Sequence, residues 1–163
     1  MSCYSVKGRT EDIIDGCWVL PRDPEGVWPG TKDDELSHRI WLPPAVTDLI
    51  AEIDPEPGFI FANSAGNPID KLDGAMRDIC KALKVTKKVT PHDLRRTHGL
   101  TITRLGFGRD AMDRVQNHKD GRIRDVYDQH QYADENKRIM EAVANKIMSL
   151  IDGGTDNVVA FAR

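Results

Sequence analysis

Thr90-Pro91-His92-Asp93-Leu94-Arg95-Arg96-Thr97 is the stretch on which the reading of this chain turns. Thr90 suits the N-cap of a helix, Pro91 its first position, and Asp93 the positive end of the helix dipole. The helix is predicted to run to about Leu105, where Gly106-Phe107-Gly108 breaks it. His92 and Arg95 are three apart and therefore share one face. Placed in the first turns, they stand close to unpaired N–H groups that favour anions. An imidazole beside a guanidinium fork suits a phosphate, and Arg96 is placed for a neighbouring one. Taken alone, the same pair also fits an exposed basic helix.

Outward from this helix the chain reads as mostly helical with a small antiparallel sheet at the front. Downstream, a short helix is predicted from Arg109 to about Asn117, then a turn at Asp120-Gly121. A long terminal helix is predicted from Ala133 to Ile151, because Ile139, Val143, Ile147 and Ile151 recur four apart. Asp152-Gly153-Gly154 ends it. Upstream, Cys17-Trp18-Val19-Leu20-Pro21 and His38-Arg39-Ile40-Trp41-Leu42 read as two strands of a hairpin with a long tip. Pro43-Pro44 stops the second strand and opens a helix to about Ile53. Phe59-Ile60-Phe61 reads as a short apolar strand or extended segment, Asn63 to Pro68 as a turn cluster, and about Ile69 to Leu83 as a helix. The domain is expected to span residues 1–152, with 153–163 as a tail.

Composition narrows the function class. The 163 residues suit one domain with a core of its own. No apolar run reaches the length of about 18 residues that a membrane span needs, so no membrane association is expected, and a cytoplasmic protein is the default. The 3 cysteines, Cys3, Cys17 and Cys80, form no Cys-x-x-Cys pair. Reduced thiols are expected, and neither a disulfide framework nor a zinc site. The net charge is -3, but residues 84–124 hold 11 Lys/Arg against 4 Asp, a local excess of +7. A basic segment in an acidic chain fits a phosphate-binding face or an ordinary solvated surface.

Two further residues carry chemistry only in combination. His118 lies before the Asp120-Gly121 turn, where a histidine commonly caps or packs. Tyr127 follows nine residues later, with Tyr132 as a local competitor.

The order His92-x-x-Arg95, His118, Tyr127, amphipathic helix resembles the phage-integrase, or tyrosine recombinase, family. Thr90 to Thr97 is similar to that family's second conserved box, and Arg114-Val115-Gln116-Asn117-His118 to the next. Val126-Tyr127-Asp128-Gln129-His130-Gln131-Tyr132 resembles the nucleophile box of integrases on mobile islands. Gly30-Thr31-Lys32 with His38 to Pro43 resembles the hairpin that carries a catalytic lysine.

The resemblance implies a mainly α catalytic domain that breaks and rejoins DNA. It implies Tyr127 as the nucleophile that forms a 3′-phosphotyrosine. Arg95 and His118 would hold the non-bridging oxygens, His92 would assist as donor or proton shuttle, and Lys32 would protonate the departing 5′ oxygen. Arg96, Lys119, Arg122 and Arg124 would contact the DNA backbone. Double-stranded DNA, a homotetramer on that DNA, no cofactor and no metal are the corresponding expectations. The family's earlier arginine, from a helix before the hairpin, has no confident counterpart here. That helix is expected upstream of Met1, and the chain alone is expected to cleave weakly or not at all. A DNA-binding remnant or regulator on the same fold is the alternative.

Overall fold

The computed structural model describes residues 8–20, 37–69, 72–118 and 132–153. Three short strands, β1 (Ile13–Ile14), β2 (Cys17–Leu20) and β3 (His38–Trp41), form an antiparallel sheet in the order β1-β2-β3. The expected hairpin is present: Cys17 pairs with Trp41 and Leu20 with His38. Its tip, which includes Lys32, lies outside the described residues.

β1 is an addition to the expected sheet. Ile13 pairs with Trp18 and Ile14 with Cys17, so Asp15-Gly16 is a two-residue hairpin turn. Both have positive φ, 51° and 72°, as a turn that matches strand twist demands. Gly16 is required twice over, because a Cβ there would lie 3.0 Å from the Trp41 ring.

Five α-helices follow among the described residues: α1 (Pro44–Ile53), α2 (Leu72–Ala82), α3 (Pro91–Arg104), α4 (Gly108–Val115) and α5 (Ala133–Ile151). Pro44 takes the first turn of α1, and Asp54, in the left-handed region at φ 47°, closes it. Phe59 to Ala62 bends at Ile60 and Phe61 and, among the described residues, makes isolated bridges instead of a strand, Arg9 with Phe59 and Ala62 with Pro68.

The core lies where α3, α4 and α5 meet. Ile102, Ala111, Val115, Ile139 and Val143 are buried together, with Leu105, Phe107, Met112 and Met140 packed around them. Ile102 and Ile139 are fully enclosed, worth about 1.5–3 kcal/mol each. Gly99 lets α3 and α4 approach: a Cβ there would stand 2.9 Å from the Met112 sulfur and 3.1 Å from Gln116 Nε2. Lys137 of α5 lies over the Trp41 ring at 4.1 Å, which ties the helices to β3. His38, at the start of β3, reaches the Val115 carbonyl through Nε2 at 3.2 Å. The sheet is thereby fastened to the end of α4, close to the candidate site.

The apolar stripe of α5 departs from expectation in its second half. Ile139 and Val143 are buried, whereas Ile147 and Ile151 are exposed. The helix outruns the three-helix core, so among the described residues its last turns have no apolar surface to cover.

Candidate active site

The start of α3 is built as its sequence suggests, with Thr90 as its N-cap. The Asp93 carboxylate accepts from the Thr90 backbone N–H at 2.9 Å and from the Thr90 hydroxyl at 2.6 Å. Thr90 and Asp93 thus form a reciprocal capping box, the Thr90 side chain meeting the Asp93 backbone as the Asp93 carboxylate meets that of Thr90. These bonds from Thr90, side chain first and backbone second, hold the Asp93 carboxyl below its usual value, helped by Arg96 and His92. Arg96 is a surface residue whose Nη1 stands 3.5 Å from Asp93.

The second turn of α3 meets the end of α4. Arg95 Nε donates to His118 Nε2 at 3.4 Å. Arg95 Nη2 donates to the Gln116 backbone carbonyl. Gln116 answers: its side-chain Nε2 donates to the Arg95 carbonyl at 2.8 Å and lies 3.1 Å from His98 Nδ1. An amide nitrogen can only donate, so His98 Nδ1 accepts and its ring proton is on Nε2. Burial pushes the His98 imidazole below its ordinary value, and the neighbouring Arg95 charge pushes the same way.

His118 is fixed from the other side by Asp113. Its Nδ1 lies 2.9 Å from Asp113 Oδ1, and its backbone N–H donates to the Asp113 carbonyl at 2.8 Å. Asn117 has φ 50°, which turns the chain back and brings the ring to the end of α4. Asparagine tolerates that conformation better than most residues. Asp113 is only 6% exposed. Its Oδ2 is buried without a hydrogen bond among the described residues, though Arg109 Nε stands 3.6 Å away. A buried polar atom without a hydrogen bond costs about 1–3 kcal/mol, so this carboxylate is held in place against a penalty.

Of the residues expected to form the site, Arg95 and His118 come together. His92 is exposed in the first turn of α3, and no hydrogen bond links it to either among the described residues. Tyr127, Lys32, Lys119, Arg122 and Arg124 lie outside the described residues. Tyr132, the rival tyrosine, is described. Its ring lies under the Arg114 guanidinium at 4.1 Å. Arg114 also holds Glu135 at 2.6 Å and donates to Asn136 at 2.9 Å. Tyr132 thus belongs to a clamp that docks the start of α5 on α4. Asp113, Gln116 and His98 had not been singled out from the sequence.

Two boxes separated by 23 positions in the chain therefore converge on one arginine–histidine pair. A model described as the phage integrase family matches residues 38–147, more than half of the chain. The chain belongs to the phage integrase family. No curated protein and no solved structure matches it. The integrase match runs from the start of β3 almost to the end of α5, and so includes Arg95, His118 and the core that carries them. The mainly helical domain with its small antiparallel sheet fits this family of site-specific recombinases. Among the described residues no helix is long and apolar enough to cross a membrane. No group of three or more His, Cys, Asp or Glu among them could hold a metal ion.

Proposed function

We propose that this chain serves site-specific DNA strand cleavage and rejoining through a 3′-phosphotyrosine, as part of a phage or genomic-island integrase acting in the cytoplasm, and that alone it cleaves weakly or not at all. The observation that supports this reading best is Arg95 Nε facing His118 Nε2 at 3.4 Å at an exposed helix start. Both groups suit the non-bridging oxygens of one phosphodiester. Phosphate binding would exchange part of the internal Arg95 network for charged oxygens.

In this reading the Tyr127 hydroxyl oxygen bonds to the scissile phosphorus and gives up its proton, with His92 as the proton shuttle. The bond from phosphorus to the 5′ oxygen breaks, and Lys32 supplies the proton that this oxygen needs. Religation reverses these steps with a different 5′ hydroxyl, so the bond energy is retained. His92 assists at the phosphate, while Arg96, Lys119, Arg122 and Arg124 hold neighbouring backbone phosphates. A homotetramer on double-stranded DNA is the working assembly.

The experiment is covalent capture on a pool of nicked duplexes of randomised sequence, followed by sequencing of the trapped DNA. A protein–DNA adduct that Tyr127→Phe abolishes supports the reading. An adduct lost with Tyr132→Phe instead moves the nucleophile to Tyr132.

A second reading, DNA binding without cleavage, draws on the +7 excess of residues 84–124. It expects a salt-sensitive mobility shift with no covalent product.

A further inference from the structure

We propose that Asp113 is a positioning residue for His118. Its buried carboxylate keeps a proton on Nδ1 and turns Nε2 toward Arg95. Nε2 must gain a proton of its own before it donates to a phosphate oxygen, and a carboxylate behind the ring favours that form. The functional consequence rests on the phosphotransfer reading above; the tautomer itself does not.

The argument begins at Arg95, whose nitrogens donate and never accept. Its Nε meets His118 Nε2 at 3.4 Å, so Nε2 presents its lone pair. A neutral imidazole with a bare Nε2 has its proton on Nδ1. Nδ1 faces Asp113 Oδ1 at 2.9 Å, where a carboxylate oxygen accepts that proton. The opposite tautomer would set a lone pair against the carboxylate and a donor against a donor. Two contacts on opposite sides of the ring therefore select one form.

Asp113 is placed for this task and for little else. It stands among the buried residues of α4, between Ala111 and Val115, where an acid is costly. Among the described residues, the hydrogen bond to its carboxylate comes from His118. Arg109 contributes charge from 3.6 Å, beyond hydrogen-bond reach. The His118 backbone N–H is tied to the same residue at 2.8 Å, so ring and main chain share one anchor. A carboxylate behind an imidazole fixes which nitrogen faces the reaction.

The test reads the ring directly in the ¹⁵N-labelled full chain, by long-range proton–nitrogen correlation, with His118→Gln assigning the signals. The expected spectrum shows a protonated Nδ1 and a bare Nε2. Asp113→Asn is expected to lose that preference, because a carboxamide can donate as well as accept, and Asp113→Glu to retain it. Adduct formation on trapped duplexes should fall about 10- to 100-fold in Asp113→Asn and recover in Asp113→Glu. A proton on Nε2 in the unaltered chain overturns the inference. So do unchanged His118 signals in a folded Asp113→Asn. If Asp113→Asn fails to fold, the spectra of the unaltered chain and of Asp113→Glu decide. The expected tautomer with an adduct that survives both Tyr127→Phe and Tyr132→Phe counts against the recombinase reading alone. Adducts formed by Asp113→Asn at the full rate count against this inference alone.

Discussion

Arg95 and Gln116 hold each other: the Arg95 guanidinium donates to the Gln116 carbonyl, and the Gln116 side chain donates to the Arg95 carbonyl at 2.8 Å. The exchange locks the second turn of α3 to the end of α4. It also sets the direction from which Arg95 reaches His118.

Gln116→Leu removes the amide half of this exchange. The chain should lose about 1 kcal/mol, the net worth of one hydrogen bond, as read by urea denaturation. Trapping on nicked DNA should fall further than that loss of stability explains. Arg95→Lys keeps the charge but cannot span His118 and the Gln116 carbonyl together. Trapping should drop roughly 100- to 1000-fold, the usual cost of one lost oxyanion donor. Trapping at an undiminished rate would remove Arg95 from the chemistry.

Acid should weaken the chain in two windows. Folded His98 has a depressed pKa, so the unfolded chain takes up protons first as pH falls. The stability it contributes is complete above pH 6.5 and is lost below it, as pH falls toward the folded value. Asp93 is depressed as well, so its share is complete above pH 3.8 and disappears as pH drops through its folded value. Denaturant midpoints measured against pH should show both slopes. His98→Gln should flatten the upper one and Asp93→Asn the lower. An unaltered upper slope in His98→Gln would put the sensitivity elsewhere.

Gly99→Val tests the close approach of α3 and α4. The first added carbon would press on Met112 and on Gln116 Nε2, at 2.9 and 3.1 Å. Overpacking of this kind costs about 1–3 kcal/mol. A displaced Gln116 should also release Arg95, so trapping should fall along with the melting temperature.

Arg114→Ala should loosen the start of α5. The guanidinium holds Glu135, Asn136 and the Tyr132 ring together, and most of it is buried. A loss of about 1–3 kcal/mol is expected, the cost of leaving buried polar partners unmet. Tyr132→Phe keeps the ring under Arg114, so calorimetry should show a nearly unchanged melting temperature. A large drop would mean that the Tyr132 hydroxyl matters more than its ring.

Local signals made part of this architecture readable. Pro91 and Asp93 announced α3, Pro43-Pro44 announced α1, and the period of Ile139 and Val143 announced α5. The shared helix face of His92 and Arg95 suggested a phosphate site, and His118 joined it only through the resemblance to the integrase family. β1 escaped because two residues are too few to show alternation, although Asp15-Gly16 is a strong hairpin signal. Asp113 escaped for a different reason. In Arg109-Asp110-Ala111-Met112-Asp113-Arg114 an acid looks like any surface charge, and only the packing of α4 shows which of the two aspartates turns inward. Gln116 and His98 likewise acquire meaning only when α3 and α4 meet.

The uneven burial of α5 divides one helix into two thermodynamic territories. Ile139 and Val143 are 0% and 2% exposed, while Ile147 and Ile151 are 48% and 70% exposed. Amides in the first half can exchange with solvent only when the whole core opens, whereas those of the last turns need only local fraying. Deuterium uptake should therefore rise sharply along a single unbroken helix. The boundary should fall just past Val143, where the backbone stays regular but the packing from the described residues stops.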